Sequence, residues 1–114
     1  MKAKLLALIK KNGDASFAGI LQHYPEVKGN MEMTYGKYEN LILWRGLTNE
    51  AILSIIDLLN EGQIHMNIVT PLVYLIDGLP ANLPTAKSIR SYKKPHWLPV
   101  VFEMGAEPKS KSAK

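Results

Sequence analysis

The clearest pattern of apolar and polar positions lies in residues 47–78, where a helical repeat is followed by strand-like alternation. Thr48 is placed to cap the start of a helix, and Gly62 stands where a left-handed C-terminal cap belongs. Four apolar residues between these caps recur at i, i+3, i+4 and i+7, which predicts one buried helical face: Ile52, Ile55, Ile56 and Leu59.

Beyond Gly62, apolar residues at Ile64, Met66 and Ile68 alternate with polar ones, which is typical of a strand. Thr70-Pro71 interrupts this run, and residues 71–77 resume with a second β-prone sequence. Asp77-Gly78 has the composition of a turn. The pattern therefore predicts a helix followed by two short strands.

The N-terminal part predicts two helices. Leu5, Leu8 and Ile9 share a face of a helix over Lys2–Asn12, which Gly13 ends. A second, shorter helix over residues 17–24 starts at a Ser16 cap and stops at Pro25, because the residue before a proline avoids the helical region.

Residues 26–46 fit two structures. The segments 31–35 and 38–44 suit a hairpin around Gly36-Lys37, yet Tyr38, Leu41 and Ile42 also fit a helical face. We favour the extended structure.

The C-terminal part is less regular. We expect residues 79–85 to form a surface loop and 86–92 a helical turn or irregular structure. Val100–Phe102 suits an edge strand, where the preceding proline is tolerated. Residues 105–114 are polar and simple in composition, which predicts a disordered basic tail after a single domain over residues 1–104.

The order helix, short helix, extended stretch, helix and two strands resembles the winged-helix fold over about residues 1–78. The resemblance implies an α+β domain of three helices with a C-terminal β-hairpin, here continued by a basic C-terminal extension. The small size and plain composition are similar to those of uncharacterised prophage-type proteins. No family residue is transferred by this resemblance.

Composition excludes several classes of chemistry. The chain has 114 residues, 46% of them hydrophobic, and no cysteine, so disulfides, thiolate zinc sites and cysteine nucleophiles are excluded. The apolar run near the N-terminus is too short for a signal peptide, and no stretch reaches membrane-spanning length. We expect a cytoplasmic protein without a membrane partner.

Catalytic and cofactor motifs are also missing from the sequence. The histidines at positions 23, 65 and 96 are far apart and follow no metal-binding spacing. No phosphate-binding glycine loop or nucleophile elbow is present, and Asp57 and Glu61 are most simply solvated carboxylates on a helix. We predict a protein that is not an enzyme and has no metal or other cofactor.

Charge is distributed unevenly along the chain. Residues 1–86 carry seven Lys/Arg and eight Asp/Glu, whereas residues 87–114 carry seven Lys/Arg and two Glu. The helix over Thr48–Glu61 has three acidic residues and no Lys or Arg. Phosphates would repel this helix, so we do not expect it to read the DNA major groove.

The basic C-terminal segment is the better candidate for binding nucleic acid, because cations neutralise phosphates and aromatic rings stack on bases. The candidate residues are Lys87, Arg90, Tyr92, Lys93, Lys94 and Trp97. In the competing interpretation, the two aromatic residues pack on the domain and the cations are simply solvated. The alternative function is a protein-interaction adaptor or homodimer that uses the acidic helix or a tryptophan surface.

Overall fold

The computed structural model describes residues 1–76 and 83–106, and these form an α+β domain, as predicted. The described part contains four α-helices: α1 (Lys2–Asn12), α2 (Phe17–His23), α3 (Asn49–Asn60) and α4 (Leu72–Ile76). It contains six strands: β1 (Asp14–Ser16), β2 (Lys28–Tyr35), β3 (Tyr38–Leu47), β4 (Ile64–Ile68), β5 (His96–Trp97) and β6 (Val100–Met104).

Local signals determine the N-terminal helices, and both predictions are confirmed. Helix α1 ends at Gly13, whose φ of 85° lies in the left-handed region that glycine tolerates. The Ser16 hydroxyl accepts a 3.0 Å hydrogen bond from the Gly19 amide and so caps α2. Pro25 begins a short 3₁₀ helix beyond it.

The described strands form two three-stranded sheets with the orders β1-β6-β4 and β2-β3-β5. The first sheet is antiparallel throughout, and β6 lies at its centre. The prediction of an edge strand at Val100–Phe102 is therefore wrong. These three residues are all buried, which is the usual environment of a strand with neighbours on both sides.

The hairpin favoured for residues 26–46 is confirmed by the antiparallel pairing of β2 with β3. Strand β3 buries four consecutive residues, 41–44. A strand that is covered on both faces shows a continuous apolar run instead of alternation, which explains why this stretch also fitted a helix.

The second strand predicted after α3 is wrong, because residues 72–76 form α4 and β4 pairs with β6 instead. Tyr74 explains the difference. Its ring is fully buried, and its hydroxyl accepts from the Phe17 amide at 3.1 Å and donates to the Val100 carbonyl at 2.7 Å. These tertiary contacts override a local preference for extended structure. The predicted Asp77-Gly78 turn, the loop at 79–82 and the tail at 107–114 lie outside the described residues.

Helix α3 buries Ile52 and Ile55 as predicted, but the rest of its core-facing side differs from the prediction. Ile55 is buried, but Ile56 is 37% exposed and Leu59 is only half-buried, so the prediction that Ile56 is buried is wrong. Leu58, which is 1% exposed, takes its place. The buried face includes the small residues Ala51 and Ser54, which an apolar count based on large side chains overlooks.

Aromatic side chains from both sheets and two helices meet in the core. Trp44 stacks on Phe17 and Tyr74 with ring centroids 5.9 and 5.4 Å apart. Trp97 contacts Tyr74 edge to face at 4.8 Å, and Phe102 contacts Phe17 at 5.2 Å. This cluster joins the sheets and fixes β5 through Trp97, directly after the basic segment.

Candidate nucleic-acid interface

The candidate cations lie in residues 87–94, hereafter the basic loop, which precedes β5 and has no regular secondary structure. The chain is pinned at the ends of this loop. The Trp97 amide donates to the Pro84 carbonyl at 2.7 Å, and the Ala86 amide donates to the Trp97 carbonyl at 2.8 Å. Both ends of the basic loop are therefore held together at Trp97.

Tyr92 organises the inside of the basic loop. Its hydroxyl accepts hydrogen bonds from the amides of Lys87 and Ser88 at 3.1 and 3.2 Å and donates to the Ser88 carbonyl at 3.0 Å. The Asn40 side-chain amide donates to the Tyr92 carbonyl at 2.8 Å, which ties the loop to β3. Hydrogen bonds thus replace secondary structure in holding the loop.

The ring of Tyr92 is engaged by its own neighbours. His96 stacks on it at a centroid distance of 4.0 Å, and the Arg90 guanidinium carbon lies over it at 4.5 Å. The hydrogen bond with Arg90, followed by those with the Ser88 and Lys87 region, lowers the pKa of Tyr92 from 10.0 to about 8. Tyr92 therefore acts first as the internal support of the loop.

Trp97 has no face on which a base could stack. Its side chain is 2% exposed, between Trp44 and Tyr74, and β5 pairs with β3 at this residue. The Trp97 indole nitrogen has no hydrogen-bond partner among the described residues. This burial removes Trp97 from the candidate contacts and makes it an anchor of the loop instead.

The four predicted cations, Lys87, Arg90, Lys93 and Lys94, are all exposed. The three lysines form no ion pair with any residue in the described part of the chain. Residues 83–97 contain no aspartate or glutamate. The loop therefore presents positive charge that no neighbouring carboxylate in the sequence compensates.

A neighbouring tyrosine pair was not among the candidates from the sequence. Tyr35 and Tyr38 flank the β2–β3 turn, are half-buried, and have ring centroids 6.3 Å apart. The Lys37 ammonium lies 5.8 Å from the Tyr38 ring centroid. Tyr35 and Ile89 line the same groove, so this tyrosine turn adjoins the basic loop. In the sequence, Tyr-Gly-Lys-Tyr indicates only the turn at Gly36-Lys37.

Several acidic side chains of the described residues pair with a basic side chain or a histidine. Glu61 pairs with Lys2 at 2.6 Å, and His65 lies beside Glu103 at 3.2 Å. Within residues 1–76 and 83–106, no group of three or more His, Asp or Glu side chains could hold a metal ion. In the same residues, no helix is both long and apolar enough to span a membrane.

Comparisons with known proteins find no match for this chain, whether with family models, curated proteins or solved structures. The winged-helix resemblance therefore stays a prediction, and the interpretation of the site depends on its own geometry.

Proposed function

We propose that this protein binds single-stranded nucleic acid through the basic loop and the adjoining tyrosine turn. The observation that carries the proposal is a set of four exposed cations on a loop with fixed ends and no acidic residue. Phosphate neutralisation supplies most of the affinity of such sites. The proposal is independent of the winged-helix resemblance, since it places no contact on the acidic helix α3.

Each part of the site has a separate role in this proposal. Lys87, Lys93 and Lys94 contact phosphates, while Arg90 and Tyr92 keep the loop in shape. A loop that is already ordered loses less conformational entropy on binding than a flexible basic tail would. The half-buried rings of Tyr35 and Tyr38 offer partial faces for bases, and a base has such a free face only when it is unpaired.

The test of the cations uses two matched lysine pairs. Lys93→Ala/Lys94→Ala removes two charges from the basic loop, and Lys10→Ala/Lys11→Ala removes two adjacent exposed charges from α1. Binding of a fluorescent single-stranded oligonucleotide is measured by anisotropy over a range of salt concentrations. We expect the loop variant to bind more weakly and its salt slope to fall by about 1.4 units, or about 0.7 per phosphate contact. The α1 variant should keep the slope of the unmodified protein.

The test of the tyrosine turn uses Tyr38→Leu, which removes the aromatic ring but keeps an apolar side chain. Loss of one stacked base weakens binding by about 1–3 kcal/mol with little change in the salt slope. Equal losses from the loop and α1 lysine pairs would indicate general charge attraction and refute the proposed site. No binding by the unmodified protein at low salt would refute the function and favour the protein-interaction adaptor.

A further inference from the structure

Strand β4 has an open edge within the described structure. Just beyond the two ends of its ladder with β6, the Val69 amide donates to the Pro99 carbonyl at 3.0 Å and the Gly105 amide donates to the Gln63 carbonyl at 2.8 Å. In an antiparallel ladder, hydrogen-bonded and non-hydrogen-bonded residue pairs alternate. The residues between these two bonded pairs therefore alternate in the direction of their backbone groups. The backbone groups of residues 65 and 67 therefore face β6, and those of 64, 66 and 68 face away from it.

A groove follows this open edge. It consists of two adjoining cavities of about 490 and 420 Å³ that share Leu59 and Met66 in their walls. Strand β2 contributes Met33 and Thr34 to the opposite wall. Leu59 and Ile56 of α3 provide apolar surface between the two strands, which explains why Ile56 is exposed.

The size of the groove suits a single extended segment. A strand residue occupies about 160 Å³, from a rise of about 3.3 Å, a strand spacing of about 4.8 Å and a sheet spacing of about 10 Å. About six residues therefore match the two cavities. The chain's residues 107–114 contain no large apolar side chain for Leu59 and Met66.

We propose that this groove binds an extended segment of another protein, which adds to β4 as a fourth strand of its sheet. The main chain of the segment would pair with Met66 and Ile68, whose backbone groups face the groove and which are partly or largely exposed, whereas Ile64 is only 2% exposed. Its side chains should alternate, with apolar residues against Leu59 and polar residues beside Asn67.

Charge indicates the ends of the bound segment. Ile89 lines the groove next to Arg90 of the basic loop, and Gly36 lines it next to Lys37. Glu32 also lines the groove, but its carboxylate is paired with Arg45 at 3.0 Å. Acidic residues at the ends of the segment would therefore be attracted to Arg90 and Lys37. The partner is therefore a strand-forming peptide segment with acidic flanks.

Amide hydrogen exchange followed by NMR tests the edge directly. In the free protein, the amides of Met66 and Ile68 should exchange faster than those of His65 and Asn67. The probe is a synthetic peptide of alternating valine and threonine with glutamate at both ends. Binding should slow exchange at the two open amides, those of Met66 and Ile68. The same peptide with alternate amides N-methylated should bind at least about tenfold more weakly, since it lacks the donors.

Two substitutions at similarly exposed residues distinguish peptide binding in the groove from binding elsewhere on the surface. Ile68 is 57% exposed at the groove, and Leu53 is 53% exposed on α3 outside it. Ile68→Glu should weaken peptide binding about tenfold by repelling the acidic flanks, and Leu53→Glu should leave it unchanged. Unprotected open amides at millimolar peptide, or equal effects of both substitutions, would overturn the proposal. Protection of the same amides by a single-stranded oligonucleotide instead of the peptide would also overturn it.

Discussion

Replacing Tyr74 with phenylalanine tests how α4 is joined to the first sheet. Strands β1 and β6 pair up to Ser16 and Val101, so the next pair in the ladder would be Phe17 with Val100. The Tyr74 hydroxyl is inserted at this point and bonds to both residues, at 3.1 Å to the Phe17 amide and 2.7 Å to the Val100 carbonyl. The substitution keeps the ring and removes the hydroxyl that forms this bridge.

The expected loss of stability follows from the two backbone groups that lose their partner, the Phe17 amide and the Val100 carbonyl. Phe17 and Val100 are both 0% exposed, so water cannot replace the hydroxyl without a rearrangement. A buried donor or acceptor without a partner costs about 1–3 kcal/mol, and an amide costs more than a carbonyl, which keeps another lone pair. We expect Tyr74→Phe to lower the free energy of unfolding by about 2–4 kcal/mol. For a domain of this length, that corresponds to about 8–16 °C in Tm.

Denaturant unfolding followed by circular dichroism measures this change. The transition midpoint should fall while its slope is unchanged, because the same surface is exposed on unfolding. Tyr38→Phe is the matched control, since the Tyr38 hydroxyl has no hydrogen bond to the described residues. A loss below about 0.5 kcal/mol for Tyr74→Phe, equal to the typical effect of a surface substitution, would refute the bridging role.

Two further predictions concern the basic loop and α3. Tyrosinate absorption should show one residue that ionises near pH 8, and Tyr92→Phe should abolish that step. Because the pKa of Tyr92 is lowered on folding, its ionisation stabilises the folded protein above about pH 10, and this contribution is lost as the pH falls through about 8. The phenolate should also weaken oligonucleotide binding at alkaline pH; unchanged absorption in Tyr92→Phe would contradict the assignment. In α3, Leu58→Ala should cost about 2–5 kcal/mol and Ile56→Ala less than about 1 kcal/mol, measured by denaturant unfolding. Equal losses of unfolding free energy in the two variants would show that the Ile56 side of the helix also packs in the core.

The elements that could be predicted from the sequence have signals within a few residues of themselves. Gly13 and the Ser16 cap give the bounds of α1 and α2, and the Thr48 hydroxyl caps α3 by accepting from the Ala51 amide at 3.1 Å. The segment at 72–76 has no such signal. Its structure depends on a bridge between Tyr74 and residues far away in the chain, which no local pattern shows.

The candidate site divides in the same way. The positive charge of Lys93 and Lys94 could be predicted, because charge belongs to the residue and lysines are rarely buried. The burial of Trp97 could not, since it depends on the pairing of β5 with β3, and strand β5 is only two residues long. The groove beside β4 could not be predicted either. An unpaired strand edge can be identified only when the pairing of every strand in the sheet is known.

The contact between Tyr74 and Trp97 determines how mutations near the basic loop must be interpreted. Their rings meet at 4.8 Å, and Trp97 also holds the ends of the loop through its amide and carbonyl. Trp97→Ala would therefore open a cavity in the aromatic cluster and loosen the loop at the same time. Weakened nucleic-acid binding in that variant would report the loss of loop shape, with no contact between the indole and a base. The lysine pair is the sharper test, because Lys93 and Lys94 are exposed and their removal leaves the anchor intact.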